Sequence, residues 1–454
     1  MQGPAVYNAD PVVPILLALA LLSVAGVVGG QVMRLLRQPA VLGELLMGII
    51  VGNVAYAFGN PGITVLREGE VLRKITDLAL SSNLRLSEAA LKVLPANSQS
   101  QRIADILAGA KGLDFVSVYS FVDLVSRIAI LVLLFLVGLE TSLVEMKRVG
   151  RSSFFVAVIG VAAPMALGLT AMKLLQPGSF WTRDLFIGGI LTATSVGITA
   201  RVLRDLGQEK REEARIILGA AVLDDLLSLI VLAVVTGLVL TGSVNLLSIA
   251  WTTTKATLFL GGAILIGVWI TPWFARRISS AGMQSVKLVS GCIFAFLLAW
   301  LSNGAGLAAI VGAFAAGVIL NEFFDKEMAG QSLRELLSPV ESLVVPLFFV
   351  WIGIQVKLET LANRNVLIAG LALTIVGIIG KVFSGLVCPR RMNRLAIGLG
   401  MMPRGEVGLI FAGIGKSLGV IDDSLFSAVV LLVLVTTMLT PPALRWRLAG
   451  SPVG

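Results

Sequence analysis

Apolar residues recur along this chain in runs of about 18–25, each closed by a polar connector, the length a helix needs to cross the ~30 Å hydrocarbon core of a bilayer. Thirteen such segments can be counted, near 12–34, 39–58, 119–140, 153–175, 183–204, 213–241, 247–275, 284–302, 305–323, 338–356, 365–388, 394–416 and 423–446. A helix satisfies its own backbone hydrogen bonds in lipid, so the pattern predicts an all-α polytopic membrane protein of about 13 transmembrane helices. Residues 59–118 break the rhythm, with mixed charge and only partial apolar periodicity. Within them "SEAALKVL" (87–94) and "QRIADILAGA" (101–110) read as short amphipathic helices of an extramembrane insertion.

The segments also carry an internal repeat. If the seventh is a connector, segments 1–6 and 8–13 form two six-helix sets of opposite orientation. Weak matches at an offset of seven agree with this. "GIIVGN" (48–53) in segment 2 answers "GAFAAGVILN" (312–321) in segment 9, and "LFLVGLE" (134–140) in segment 3 answers "LFFVWIGI" (347–354) in segment 10. Segments 5 and 12 each hold a polar interruption, "TATSVG" (192–197) and "MPRGEVG" (402–408). Paired interruptions in inverted halves point to a transport site near the midplane, although small-residue repeats also arise from helix packing alone.

Composition narrows the class. The chain has 454 residues, 56% hydrophobic and 14% charged, with a mean hydropathy of +0.93. Its net charge of +9 could suggest nucleic acid, but Lys and Arg cluster in the short loops between alternate segments. Arg34, Arg37, Lys147, Arg148, Lys210, Arg211, Arg276, Arg277, Arg390, Arg391 and Arg445 all fall on one side, which predicts an outer N-terminus, a cytoplasmic C-terminus and no nucleic-acid partner. The insertion then lies outside. The N-terminus lacks a basic leader region, so the first segment reads as a retained helix. Eight residues follow the last segment, and no attached nucleotide-binding domain is expected. Cys292 and Cys388 both fall in apolar segments, so neither a disulfide framework nor a metal site is implied. No cofactor is expected. There is no nucleophile elbow, metal-spaced cluster or phosphate loop, and nothing reads as an enzyme.

Histidine is absent, which leaves carboxylates and lysine for any proton chemistry. Asp224 and Asp225 stand side by side in "AAVLDDLLSLIVLAVV" (220–235), in the middle of an apolar run. Neighbouring helix positions point about 100° apart, so one carboxylate can face a fixed counter-charge while the other faces a site open to ions. Two such groups in a partly dehydrated cavity resist ionising together, and one of them can then hold either a proton or a small cation. The plainer reading is an aspartate pair satisfied by hydroxyls and water. Intramembrane acids are functional by default, which favours the first. Lys381, inside "TIVGIIGKVFSGLV" (374–387), is the candidate counter-charge for Asp224, unless it snorkels to the headgroups. Thr192, Thr194, Ser195 and Thr199 in the first interruption offer hydroxyl oxygens suited to a hard cation such as Na⁺. Glu406 and Arg404 in the second could neutralise the N- and C-terminal ends of opposed half-helices. Asp123 and Arg127, spaced i,i+4, are expected to pair with each other, and Glu44 flanks a glycine.

Seven stretches together resemble the cation/proton antiporter-2 family, and within it the bacterial sodium/proton exchangers of the NapA and GerN type. They are "RQPAVLGELLMGIIVGN" (37–53), "LFLVGLETSL" (134–143), "TATSVGITARVLRDLG" (192–207), "AVLDDLLSLIV" (221–231), "VPLFFVWIGIQV" (345–356), "GK" (380–381) and "GLGMMPRGEVGLIFAGIG" (398–415). The likeness covers nearly all of the membrane part and omits the insertion. It implies an antiporter fold of two inverted six-helix repeats with broken crossing helices, working as a homodimer by an elevator motion. Dimerisation helices would occupy 1–58, 119–150 and 281–360, with the insertion at 59–118; the ion-carrying core would occupy 151–243 and 361–454, with 244–280 as the linker. Asp225 matches the family's ion-binding aspartate, Asp224 its neighbour, Lys381 the lysine that pairs with that neighbour, and Thr194 and Ser195 the broken-helix residues near the ion. An Asp-Asp pair with a lysine goes with electrogenic exchange in the family.

The resemblance therefore implies exchange of Na⁺, or of Li⁺ or K⁺, for protons across a cell membrane, or across a thylakoid membrane in a photosynthetic organism. A potassium efflux system of the same superfamily, an ordinary ion channel, and a membrane scaffold or sensor that binds a partner through the insertion are the alternatives.

Overall fold

The computed structural model describes residues 10, 12–36, 38–94, 98–141, 150–205, 208, 211–242, 246–279, 284–327 and 331–449. Arg37, Lys147, Arg148 and Lys210 of the predicted inner loops, and the predicted boundaries at 243–244 and 280–281, lie outside the described residues. All the described secondary structure is helical.

The chain order is α1 (Val12–Leu35), α2 (Ala40–Ala57), α3 (Pro61–Leu66), α4 (Glu70–Ser82), α5 (Leu86–Val93), α6 (Ser98–Ala108) and α7 (Gly112–Glu140). It continues with α8 (Arg151–Leu175), α9 (Trp181–Ile190), α10 (Val196–Asp205), α11 (Glu212–Thr241), α12 (Leu246–Ser279), α13 (Gln284–Gly304) and α14 (Ala309–Glu327). Last come α15 (Leu333–Ile354), α16 (Leu358–Leu361), α17 (Arg364–Ser384), α18 (Arg394–Gly400), α19 (Glu406–Ser417) and α20 (Asp423–Ala449). Each of the thirteen apolar segments coincides with one helix or, for segments 5 and 12, with a pair of half-helices. Among the described residues, nine helices are long and apolar enough to cross a bilayer.

Two compact units divide the chain. The first comprises residues 1–129 and 342–358 and includes the insertion. Its helices approach at glycines. A Cβ on Gly52 would meet the Ile354 backbone at 2.8 Å, and one on Gly48 or Gly353 would collide with Val350 or Leu45. The insertion forms α3–α6 and builds its own apolar core of Val65, Leu72, Ile75, Ala89 and Ile103, continuous with Tyr119 and Trp351. A buried polar cluster fastens it. Lys357 Nζ lies 3.1 Å from both carboxylate oxygens of Glu68, and Arg67 donates to Asn53 Oδ1 at 2.9 Å while lying 4.2 Å from the Tyr56 ring centroid.

The second unit comprises residues 130–341 and 359–454. Here too glycines set the approach: the backbones of Gly138 on α7 and Gly317 on α14 leave no room for a Cβ on either. The contact repeats, between segments 3 and 9, what the first unit makes between segments 10 and 2, as a seven-segment offset requires. Gly380 on α17 likewise sits against Pro164, the proline inside α8, at 2.8 Å from a hypothetical Cβ. This close packing brings α8, α11 and α17 together around the charged residues described next.

Candidate functional site

Both interruptions are breaks in the structure, and the local sequence accounts for each. Residues 191–195 run Leu-Thr-Ala-Thr-Ser, where hydroxyl side chains compete with the helical ladder. Residues 401–405 run Met-Met-Pro-Arg-Gly, where Pro403 lacks a donor and disfavours helix in the residue before it. The two unwound stretches cross and satisfy each other. Ser195 N donates to Pro403 O at 2.9 Å, Thr194 Oγ1 to Met401 O at 3.3 Å and Thr199 Oγ1 to Gly400 O at 2.6 Å. A Cβ on Gly405 would lie 2.6 Å from the Ser195 side chain, so this crossing needs a glycine.

Arg404 is wholly buried and donates to Ala193 O and, at 3.3 Å, to Gly377 O; Thr437 donates to the Arg404 carbonyl. Its guanidinium therefore supplies a donor to a carbonyl that the unwinding at 191–195 leaves behind and ties that break to α17. Glu406 begins α19 and accepts from Ser195 Oγ at 3.3 Å, which places its carboxylate between the N-terminal ends of α10 and α19. Thr192 Oγ1 donates to Gly189 O at 2.7 Å and lies 3.3 Å from Ser228 Oγ, tying the first break to α11.

On α11 the two aspartates face different surroundings. Asp224 is completely buried, and its Oδ1 accepts from Lys381 Nζ at 2.7 Å; Lys381 is also completely buried. Asp225 is 8% exposed and has no hydrogen-bond partner among the described residues. The charged groups within electrostatic reach of Asp225 are Asp224, Glu406, Lys381 and Glu140. No hydrogen bond joins Thr194 or Ser195 to Asp225, since both hydroxyls are engaged across the crossing. One acid is thus paired with a lysine through Oδ1, its Oδ2 left unbonded, while neither carboxylate oxygen of its neighbour is hydrogen-bonded among the described residues. No group of three or more His, Cys, Asp or Glu side chains with metal-binding geometry occurs among the described residues.

Several supporting residues carry no sequence signal. Gly160 on α8 lets the backbone lie against the ion pair, for a Cβ there would be 3.5 Å from Lys381 Nζ and 3.6 Å from Asp224 Oδ1. Ser384 Oγ donates to Lys381 O at 2.6 Å. Glu140, which ends α7, forms an ion pair with Arg334. The predicted Asp123–Arg127 pair forms within α7 at 2.8 Å, and Glu44 is buried on α2; both belong to the first unit.

Residues 18–449 match the family described as sodium/hydrogen exchanger, transmembrane. The chain is 36% identical to the high-affinity Na⁺/H⁺ antiporter NhaS3 of Synechocystis, over 99% of this chain and 94% of that protein. It is 33% identical to the Na⁺/H⁺-K⁺ antiporter GerN of Bacillus cereus, over 77% of this chain and 89% of that one. Among solved structures, the sodium proton antiporter MjNhaP1 of Methanocaldococcus jannaschii superposes with a TM-score of 0.61 at 16% identity, covering 97% of this chain and 98% of that chain, which is a likeness of fold.

Proposed function

The chain belongs to the transmembrane sodium/hydrogen exchanger family, and we propose that it is a secondary antiporter in which Asp225 takes either a sodium ion or a proton. It exchanges Na⁺ for H⁺ across a membrane and is a transporter rather than an enzyme. The observation that carries the site assignment is the fully buried Asp224–Lys381 pair beside Asp225, which is buried without a hydrogen-bond partner among the described residues.

The cycle follows from competition for that carboxylate. Ionised Asp225 attracts Na⁺, and Thr194, Ser195 and the carbonyls of the crossing supply neutral oxygens of the hard type that Na⁺ prefers. Asp224 Oδ1 is held by the Lys381 ammonium while its Oδ2 has no hydrogen-bond partner among the described residues, so full engagement of this carboxylate with the ion competes with the bridge. Sodium entry would open that bridge, and a proton returning to the carboxylates would let it close. Arg404 and Glu406 balance the ends of the half-helices throughout and need not touch the ion. Alternating access then requires the core helices to carry the site past a fixed scaffold, with 151–243 and 361–454 as the moving part and 1–58, 119–150 and 281–360 as the dimerising part. The full reading comprises thirteen passages, an outer N-terminus, a homodimer in the cell membrane and electrogenic exchange. The printed name of GerN, which includes potassium, is the reason to test K⁺ beside Na⁺.

The test is reconstitution in liposomes with a trapped pH dye, adding NaCl or KCl to wild type and to Asp225→Asn. A sodium-triggered pH change that the variant lacks is the expected result. Exchange that survives in the variant would move the ion site away from Asp225. No pH change with either cation would sink the exchange itself.

A further inference from the structure

A cavity of about 680 Å³ opens in the second unit between the start of α8 and the start of α11, outside the ion site. Its rim is polar. Arg151, Ser152 and Ser153 come from the first turn of α8, and Glu212 and Arg215 from the first turns of α11. Its inner wall is apolar, formed by Ile216 and Val222 of α11 and by Met392.

Three observations give the rim its chemistry. α8 is 25 residues long and starts after Gly150, which offers no capping side chain, so its first amide N–H groups lack acceptors and form a positive end. Ser153 is only 4% exposed, lines the cavity and has no hydrogen-bond partner among the described residues. Neither Arg151 nor Arg215 has a carboxylate partner among the described residues. The acids that face this region are occupied: Glu212 lies 3.4 Å from Arg391, and Glu213 accepts from Asn393 N at 3.2 Å. Buried hydroxyl, orphan amides and two guanidinium groups together suit the oxygens of a phosphate ester.

We propose that this cavity binds the phosphate headgroup of an anionic phospholipid, with an acyl chain lying along Ile216, Val222 and Met392. A soluble phosphate would satisfy the rim and leave the apolar wall wet, whereas a lipid fills both. All the basic residues around the opening belong to the side that charge asymmetry assigns to the cytoplasm, where anionic lipids concentrate. The inference needs the chain to lie in a bilayer and does not depend on which ion it exchanges.

Native mass spectrometry of detergent-purified protein, titrated with phosphatidylglycerol, phosphatidylcholine or glycerol phosphate, tests it. Wild type should retain phosphatidylglycerol in preference to phosphatidylcholine. Arg151→Gln/Arg215→Gln should weaken that binding by on the order of 30-fold, at about 1 kcal/mol per basic residue. Val222→Trp, which fills the apolar wall and leaves the arginines, should weaken it as well. Sodium/proton exchange of the double variant in phosphatidylcholine liposomes should equal that of wild type, so a failure of the exchange reading would affect both proteins there and leave the lipid result intact. Equal retention of phosphatidylglycerol by wild type and the double variant would overturn the site. So would equal retention of the two lipids by wild type. Binding of glycerol phosphate as tight as that of the lipid would assign the rim to a soluble phosphate and overturn the lipid.

Discussion

Asp224 and Asp225 are one position apart on α11, and a turn of about 100° gives one of them Lys381 as a hydrogen-bonded partner and leaves the other without one. Burying an ion pair is costly, but removing one partner is costlier, because the remaining charge stays in a low dielectric. Lys381→Ala should therefore lower stability by about 3–5 kcal/mol, while Asp224→Asn combined with Lys381→Met should recover most of the loss. Thermal unfolding of purified protein reads both, and an undisturbed melting point in Lys381→Ala would mean that Asp224 finds other compensation. In liposomes the same single variant should change the number of protons moved per sodium before it weakens sodium binding. That ratio is read as the membrane potential at which net exchange stops. Gly160 belongs to this scale too, since a Cβ there would already be in van der Waals contact with the Lys381–Asp224 pair and a side chain longer than alanine's would press on it.

At the scale of elements, glycine positions separate two roles that look identical in the chain. Gly48 on α2 faces the Val350 backbone with no room for a Cβ, whereas Gly261 on α12 has nothing within 4 Å of one. Gly48→Leu should force α2 away from α15 at a cost of about 1–3 kcal/mol or more. Gly261→Ala should be neutral or gain up to about 1 kcal/mol from helix propensity. Comparing the melting points of the two variants checks the contrast, and equal effects would mean that α2 and α15 can yield. The unwound breaks at 191–195 and 401–405 are the elements whose irregularity has a direct chemical cause in their own residues, hydroxyls in one and Pro-Arg-Gly in the other. Each break is stabilised by the other, through Ser195, Thr194, Thr199 and Arg404.

At the scale of the whole molecule, the 59–118 segment is an integral part of the first unit. Its helices share a core with Leu22, Ala25 and Trp351, and Glu68 meets Lys357 across 289 positions of sequence. Lys357 is 7% exposed, so Glu68→Ala should cost about 3–5 kcal/mol by taking away its carboxylate partner. Sodium/proton exchange, assayed well below the melting temperature, should remain, because this cluster lies in a different unit from Asp225. Loss of exchange in a folded Glu68→Ala protein would assign the insertion a part in transport.

Hydropathy alone determined where the helices run, because hydrocarbon demands both length and internally satisfied backbones. Polar composition alone located the two breaks. The resemblance in "LDD", "GK" and "PRGE" led to the sodium/hydrogen exchanger family, into which residues 18–449 fall. What the chain could not decide was which neighbours face each side chain. Asp224 and Lys381 are 157 positions apart, and only the packing of α8 against α11 and α17 seals them together while leaving Asp225 unbonded. The amphipathic stretches of the insertion were legible as helices, but their burial against α1 and α15 was not, since partial periodicity names an apolar face without naming what covers it. Gly160, Ser384 and the cavity at Arg151 and Arg215 were equally silent, because each exists only where elements distant in sequence meet.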